Sequence, residues 1–150
     1  MKLSRELLNG FIIFLGIGIY FLILEYLGYS DVFYLRIFNI VFIIFGVNRT
    51  IQANYRDGIR GYNRHFLAAL LTSMIGAVLS IASLLIYIQF KGGDEYLQTL
   101  SKGFLFGGGE LSIPQYCIGL LFESAAASMI ISFSLMQYWK DKIEVINKVD

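Results

Sequence analysis

A single cysteine, Cys117, is all the thiol this 150-residue sequence has. It permits no intramolecular disulfide and no thiolate metal cluster. A single histidine, His65, excludes haem ligation by two histidines of one chain. Charge is also scarce: 15% of residues carry it, against about a quarter in soluble domains. The net charge of +1 points to no nucleic-acid partner. With 57% hydrophobic residues and a mean hydropathy of +0.65, one small water-soluble core could not hide the apolar surface. The solvent for most of the chain is lipid. The many phenylalanines and tyrosines suit lipid-facing surface and interfacial belts.

What is present is ordered around one polar run, residues 48–65 (NRTIQANYRDGIRGYNRH), which carries Arg49, Arg56, Arg60 and Arg64 against the lone acid Asp57. Two apolar spans precede it, at about residues 8–27 and 32–51, and two follow, at about 66–90 and 115–139. Each approaches the roughly 20 residues that cross a bilayer. The first is longer than the apolar core of a signal peptide, and a second span follows at once, so a retained helix is preferred over a cleaved leader. Ser4 and Glu6 suit the first helix start, where the dipole favours an anion.

The expected fold class is an all-α integral membrane protein, with four transmembrane helices as two antiparallel hairpins in a single domain. With the N-terminus cytoplasmic, that side holds nine cations and the outer side three (Arg36, Lys91, Lys102), so both termini are placed in the cytoplasm. Residues 48–65 then form a basic cytoplasmic loop, whose arginines serve topology or anionic lipid headgroups. Residues 91–114 form an outer glycine-rich loop. Within it the spacing predicts a short amphipathic helix over 94–106, ended by Gly107-Gly108-Gly109. Pro114 introduces the last span, and Tyr138-Trp139 before Lys140 reads as its interfacial anchor.

Small residues recur along the third span at Ala69, Ser73, Gly76, Ser80 and Ser83, a helix-packing stripe in lipid. Gly119, Ala126 and Ala127 share a face with Glu123 on the fourth. The intramembrane polar residues are Glu25, Arg36, Asn39 and Glu123. Glu123 lies about 12 Å inside its span and Arg36 about 7 Å, both in the outer half. An unpaired charge there costs roughly 2.5–3.5 kcal/mol on insertion scales, so the two are expected to pair, with Asn39 three residues from Arg36 as helper. The other readings are that Arg36 snorkels and Glu123 is neutral, or that Glu123 lines an ion or proton path. His65 is expected at the cytoplasmic interface in contact with solvent, and Cys117 as a packing residue without an activating neighbour. No metal site, cofactor or catalytic constellation is expected, and the chain is not expected to be an enzyme.

The polar run NYRDGIRGYNRHF and the small-residue stretch AALLTSMIGAVLS resemble a small four-helix family of bacterial inner-membrane proteins of unknown function. The likeness covers most of the chain but does not extend to its glycine-rich outer loop. It implies four helices in a bacterial inner (cytoplasmic) membrane and brings no activity or site. Two function classes follow. One is a non-catalytic structural or accessory protein, packing against itself as a homo-oligomer or against a larger membrane complex. The other is a small transporter or channel using Glu123.

Overall fold

The computed structural model describes residues 3–103 and 111–143. The described residues are helical and contain no strand. The helices are α1 (Leu3–Leu27), α2 (Phe33–Arg36), α3 (Asn39–Arg56), α4 (Tyr62–Lys91), α5 (Asp94–Leu100) and α6 (Ile113–Ile143), with a 3₁₀ turn at Ser101–Gly103 after α5. Four segments are long and apolar enough to cross a membrane: Leu3–Leu27, Tyr34–Arg56, Tyr62–Lys91 and Ile113–Ile143. Their outer faces carry exposed Leu, Ile, Val and Phe, the surface that lipid solvates.

The polar run 48–65 is not the loop expected. Helix α3 continues to Arg56 and α4 begins at Tyr62, leaving a turn of five residues. The reason is that the run is polar on one face only. Val47, Thr50, Ile51 and Asn54 recur at helical spacing and are all buried, while Arg49 and Arg56 stay exposed. Gly58 and Gly61 take positive φ (76° and 105°) to make the turn, which side chains with a Cβ rarely do.

Helix α4 packs against α1, α3 and α6, and α3 also packs against α1 and α6. Thus α1 and α6 flank the α3/α4 pair. Contacts descend α3 and then α2 as they ascend α1: Thr50 with Asn9, Gly46 with Ile13, Phe42 with Gly16, and, in α2, Leu35 with Tyr20. The closest approach is made by glycines. A β-carbon at Gly46 would lie 2.4 Å from Ile13, one at Gly76 2.7 Å from Ile13, and one at Gly10 2.6 Å from Ile75. Ile13, fully buried, is therefore a knob between two glycines of neighbouring helices. Ala69, Ser73 and Gly76 of the α4 stripe are buried inside this chain, Ser80 is half-buried, and Ser83 is exposed.

A hydrogen-bond chain crosses the same layer. Asn9 Nδ2 donates to Thr50 Oγ1 (2.9 Å), Thr50 Oγ1 meets Thr72 Oγ1 (3.0 Å), and Thr72 Oγ1 donates to the Ala68 carbonyl (2.8 Å). Three helices are joined by side chains that lipid could not satisfy. Nearby, Arg5 reaches Asn54 Oδ1 (2.6 Å) and Asp57 (2.5 Å).

Two sequence expectations change here, those for His65 and Trp139. His65 is not at a wet interface; it is fully buried, with Nδ1 3.1 Å from the Gly61 carbonyl. Glu6 stands in the first turn of α1, as expected, and is fully buried there. Trp139 is a core residue, 7% exposed, whose Nε1 donates to Asn48 Oδ1 at 2.8 Å, while Tyr138 stays exposed. Trp139 is met by Asn48 of α3, a contact between helices that local spacing does not reveal. Helix α5 forms at Asp94–Leu100 within the expected 94–106 segment. The Gly107-Gly108-Gly109 hinge and the tail beyond residue 143 lie outside the described residues.

Candidate functional site

Beyond Gly16 the glycine contacts stop, and the helices part around a cavity of about 410 Å³. Every long helix contributes to its wall, and Leu100 of α5 closes one side. Gly18 lies on this wall, and a β-carbon there would meet nothing within 4 Å. Most of the wall is aliphatic or aromatic, with Phe14, Ile17, Phe21 and Leu84 typical. Exposed Leu22 and Ile37 also line it, so the cavity reaches the lipid-facing surface. Pockets of about 300–1,000 Å³ with an apolar wall and a few placed polar groups hold small molecules.

The polar groups are Arg36, Asn39 and Glu123, with the hydroxyl residues Ser30, Ser80, Ser83, Ser124, Tyr20, Tyr87 and Tyr116. Arg36 and Asn39 owe their placement to an irregularity. Around residues 35–41 the amides of Ile37, Phe38, Ile40 and Val41 bond to carbonyls three residues back, at 3.0–3.3 Å. This is 3₁₀ geometry, in which residues three apart eclipse. It separates α2 from α3 and aligns Arg36 with Asn39. Tyr20 Oη donates to the Leu35 carbonyl at 2.9 Å, tying the irregular turn to α1.

Arg36 Nη2 lies 3.7 Å from Glu123 Oε2. That is a single contact, longer than the roughly 2.7–2.9 Å of a tight charge-assisted bond. The Arg36 side chain is 19% exposed and that of Glu123 36%. Asn39 Oδ1 is buried with no hydrogen-bond partner, so it does not serve the pair as a helper; it is an unsatisfied acceptor. Tyr116, 1% exposed, lies within electrostatic reach of both charges.

Glu25 has other company. Tyr96 Oη donates to its Oε2 at 2.8 Å, Tyr87 Oη stands 3.5 Å from Oε1, and Lys91 Nζ 3.8 Å. The cluster fastens α5 to the ends of α1 and α4. Burial, followed by the hydrogen bond to Glu25, pushes the Tyr96 phenol above the ordinary tyrosine range. Leu97 and Leu100 anchor the same helix among Ile88, Ile113, Tyr116 and Leu120.

Of the remaining candidates, Gly119 and Ala127 are half-buried and Ala126 is exposed. Arg49, Arg56 and Arg64 are exposed. Arg60 bonds the Tyr55 and Ile59 carbonyls and lies 4.4 Å over the Tyr55 ring. Cys117 is half-buried against the apolar cluster of Ile88, Leu97, Ile113 and Leu120. Sequence reasoning did not single out Tyr20, Tyr87, Tyr96 or Tyr116. The abundance of tyrosine was the available signal, but it carries no position. Among the described residues no three His, Cys, Asp or Glu side chains gather to hold a metal. Compared with known protein families, curated proteins and solved structures, the chain matches none of them.

Proposed function

We propose that this chain is a non-catalytic, multi-pass protein of a bacterial cytoplasmic membrane that binds a small hydrophobic or amphiphilic molecule in the cavity between its helices. The supporting observation is the cavity itself: about 410 Å³, apolar-walled, and furnished with one ion pair. In this reading the spans form two antiparallel hairpins with both termini cytoplasmic. The nine-to-three division of cations supports that orientation, and the cavity then opens in the outer half. The titratable groups on its wall are one ion pair and three phenols, which can hold and orient a molecule but offer no matched acid and base. The alternative of an accessory subunit gathering partners draws less support, because Ala69, Ser73 and Gly76 are already used between helices of this chain. An ion path through Glu123 would also have to pass the layer closed around Ile13.

Thermal unfolding in nanodiscs tests the proposal. A single-chain amphiphile should raise the melting temperature of the wild-type protein, as any ligand of the folded state does. Gly18→Leu should fill the cavity and remove that shift while keeping the unliganded melting temperature. An absent shift in the wild type, or an equal one in Gly18→Leu, would overturn it.

A further inference from the structure

The polar corner of the cavity has a specific charge arrangement. Arg36 and Glu123 carry opposite charges on the same wall and sum to zero. Both are partly exposed, so a molecule in the cavity can touch both. Their mutual contact is one Nη–Oε approach at 3.7 Å. A guanidinium has five N–H donors, so most of its donor capacity is free of this contact. Asn39 belongs to the same wall, but its Oδ1 is closed off from the cavity. The corner therefore lacks two things: an anion to use the remaining Arg36 donors, and a cation to use the remaining acceptor capacity of Glu123.

Charge balance selects between head groups. A purely anionic or cationic head would bring one uncompensated charge into a neutral, lipid-surrounded site, and such a charge is expensive there. An uncharged head would leave the charges balanced but would not match the Arg36 donors with an anion. A head with both charges matches Arg36 and Glu123 together and keeps the sum at zero. We propose that the cavity takes a single-chain amphiphile with a zwitterionic head, its anion on Arg36 and its ammonium on Glu123. The chain lies along the apolar wall near Phe14 and Leu84. This assignment rests on the cavity being a ligand site, and deepens that reading by naming the head-group class.

The test uses four probes with one common acyl or alkyl length: lysophosphatidylethanolamine (zwitterionic), lysophosphatidylglycerol (anionic), an alkyltrimethylammonium (cationic) and a monoacylglycerol (uncharged). Binding to the full chain in nanodiscs is read by native mass spectrometry and by thermal shift, with Gly18→Leu as the filled-cavity control. For the wild type, lysophosphatidylethanolamine should bind about tenfold or more tighter than either singly charged probe, since an unbalanced charge in the membrane costs more than that factor. Glu123→Gln leaves the corner positive and should move the preference to lysophosphatidylglycerol. Arg36→Gln leaves it negative and should move the preference to the alkyltrimethylammonium. If either single variant does not fold, the exchange Arg36→Glu with Glu123→Arg restores the balance and should restore the zwitterion preference.

Equal binding of all four probes to the wild type, lost in Gly18→Leu, would overturn the head-group assignment and leave the cavity reading standing. The same wild-type ranking in both charge-removing variants would also overturn the assignment to Arg36 and Glu123. No binding of any probe would overturn both.

Discussion

A β-carbon added at Gly46 would sit 2.4 Å from Ile13, while one added at Gly18, five residues further along the helix that carries Ile13, would meet nothing within 4 Å. The two glycines mark two kinds of interior in one bundle. Around Ile13 the backbones approach closely, and Asn9, Thr50 and Thr72 satisfy one another across three helices. Around Gly18 the helices stand apart, and the charged pair meets loosely, with 3.7 Å between Arg36 and Glu123, while Asn39 Oδ1 has no partner. In lipid no hydrophobic force draws helices together, so close fit and matched hydrogen bonds must hold them. The closed end supplies the close fit and the bonded chain from Asn9 to Thr72, although Glu6 and His65 Nε2 there are buried without hydrogen-bond partners, and the open end has the space to accept something else.

The largest expected contrast comes from the glycines themselves. Gly46→Ala should destabilise by about 1–3 kcal/mol through overpacking against Ile13. Gly18→Ala should stabilise by about 0.5–1 kcal/mol, because a helical glycine is replaced without a clash. Melting in one detergent reads both, and equal effects would break the contrast between the two ends.

Polar substitutions give the next contrast. Asn9→Leu should cost about 1–2 kcal/mol, the worth of interhelical hydrogen bonds in membranes. Asn39→Leu should cost nothing or stabilise, since it removes an acceptor that has no donor. If Asn39→Leu were as damaging as Asn9→Leu, the open end would be held by bonds the structure does not show.

Helix α5 sharpens the comparison at the rim of the open end. Tyr96→Phe should cost about 1 kcal/mol, the usual net value of one hydrogen bond. The pH dependence follows from the direction of the shift. The Tyr96 phenol is held above its ordinary value by burial and by Glu25. Below about pH 10 it is protonated in both folded and unfolded states, so its contribution is fully present. Above that the unfolded chain releases its proton first, and stability falls as pH rises. Melting curves from pH 8 to 11 should show a steeper alkaline loss in the wild type than in Tyr96→Phe.

The smallest effect belongs to the ion pair. With side chains 19% and 36% exposed and a single 3.7 Å contact, coupling between Arg36 and Glu123 should be about 0.2–1 kcal/mol. A double-mutant cycle on stability measures it. Strict additivity would mean that the two charges do not interact in the protein.

Much of the fold could be read locally and much of the site could not. Apolar runs of membrane-spanning length are a property of consecutive residues, so the four candidate spans and the turn near Gly28 were visible. The run 48–65 misled because its polarity was averaged over all faces, whereas Thr50, Ile51 and Asn54 lie on the covered face of a continuing helix. Depth along the chain puts Arg36, Glu25 and Glu123 in one outer zone. No local rule then chooses between the carboxylates, and only the fold sets Arg36 against Glu123 and Glu25 against Tyr96.

The sequence by itself determined that this chain is helical and apolar enough for a membrane, because hydropathy and helical period are summed residue by residue. Tertiary structure alone decided that His65, Glu6 and Trp139 are interior, that Ile13 locks into Gly46 and Gly76, and that a cavity stands beyond them. The physical reason is that covering, close approach and pairing are made between helices. Their rotation and separation are set by many contacts at once, and no single stretch of the chain encodes them.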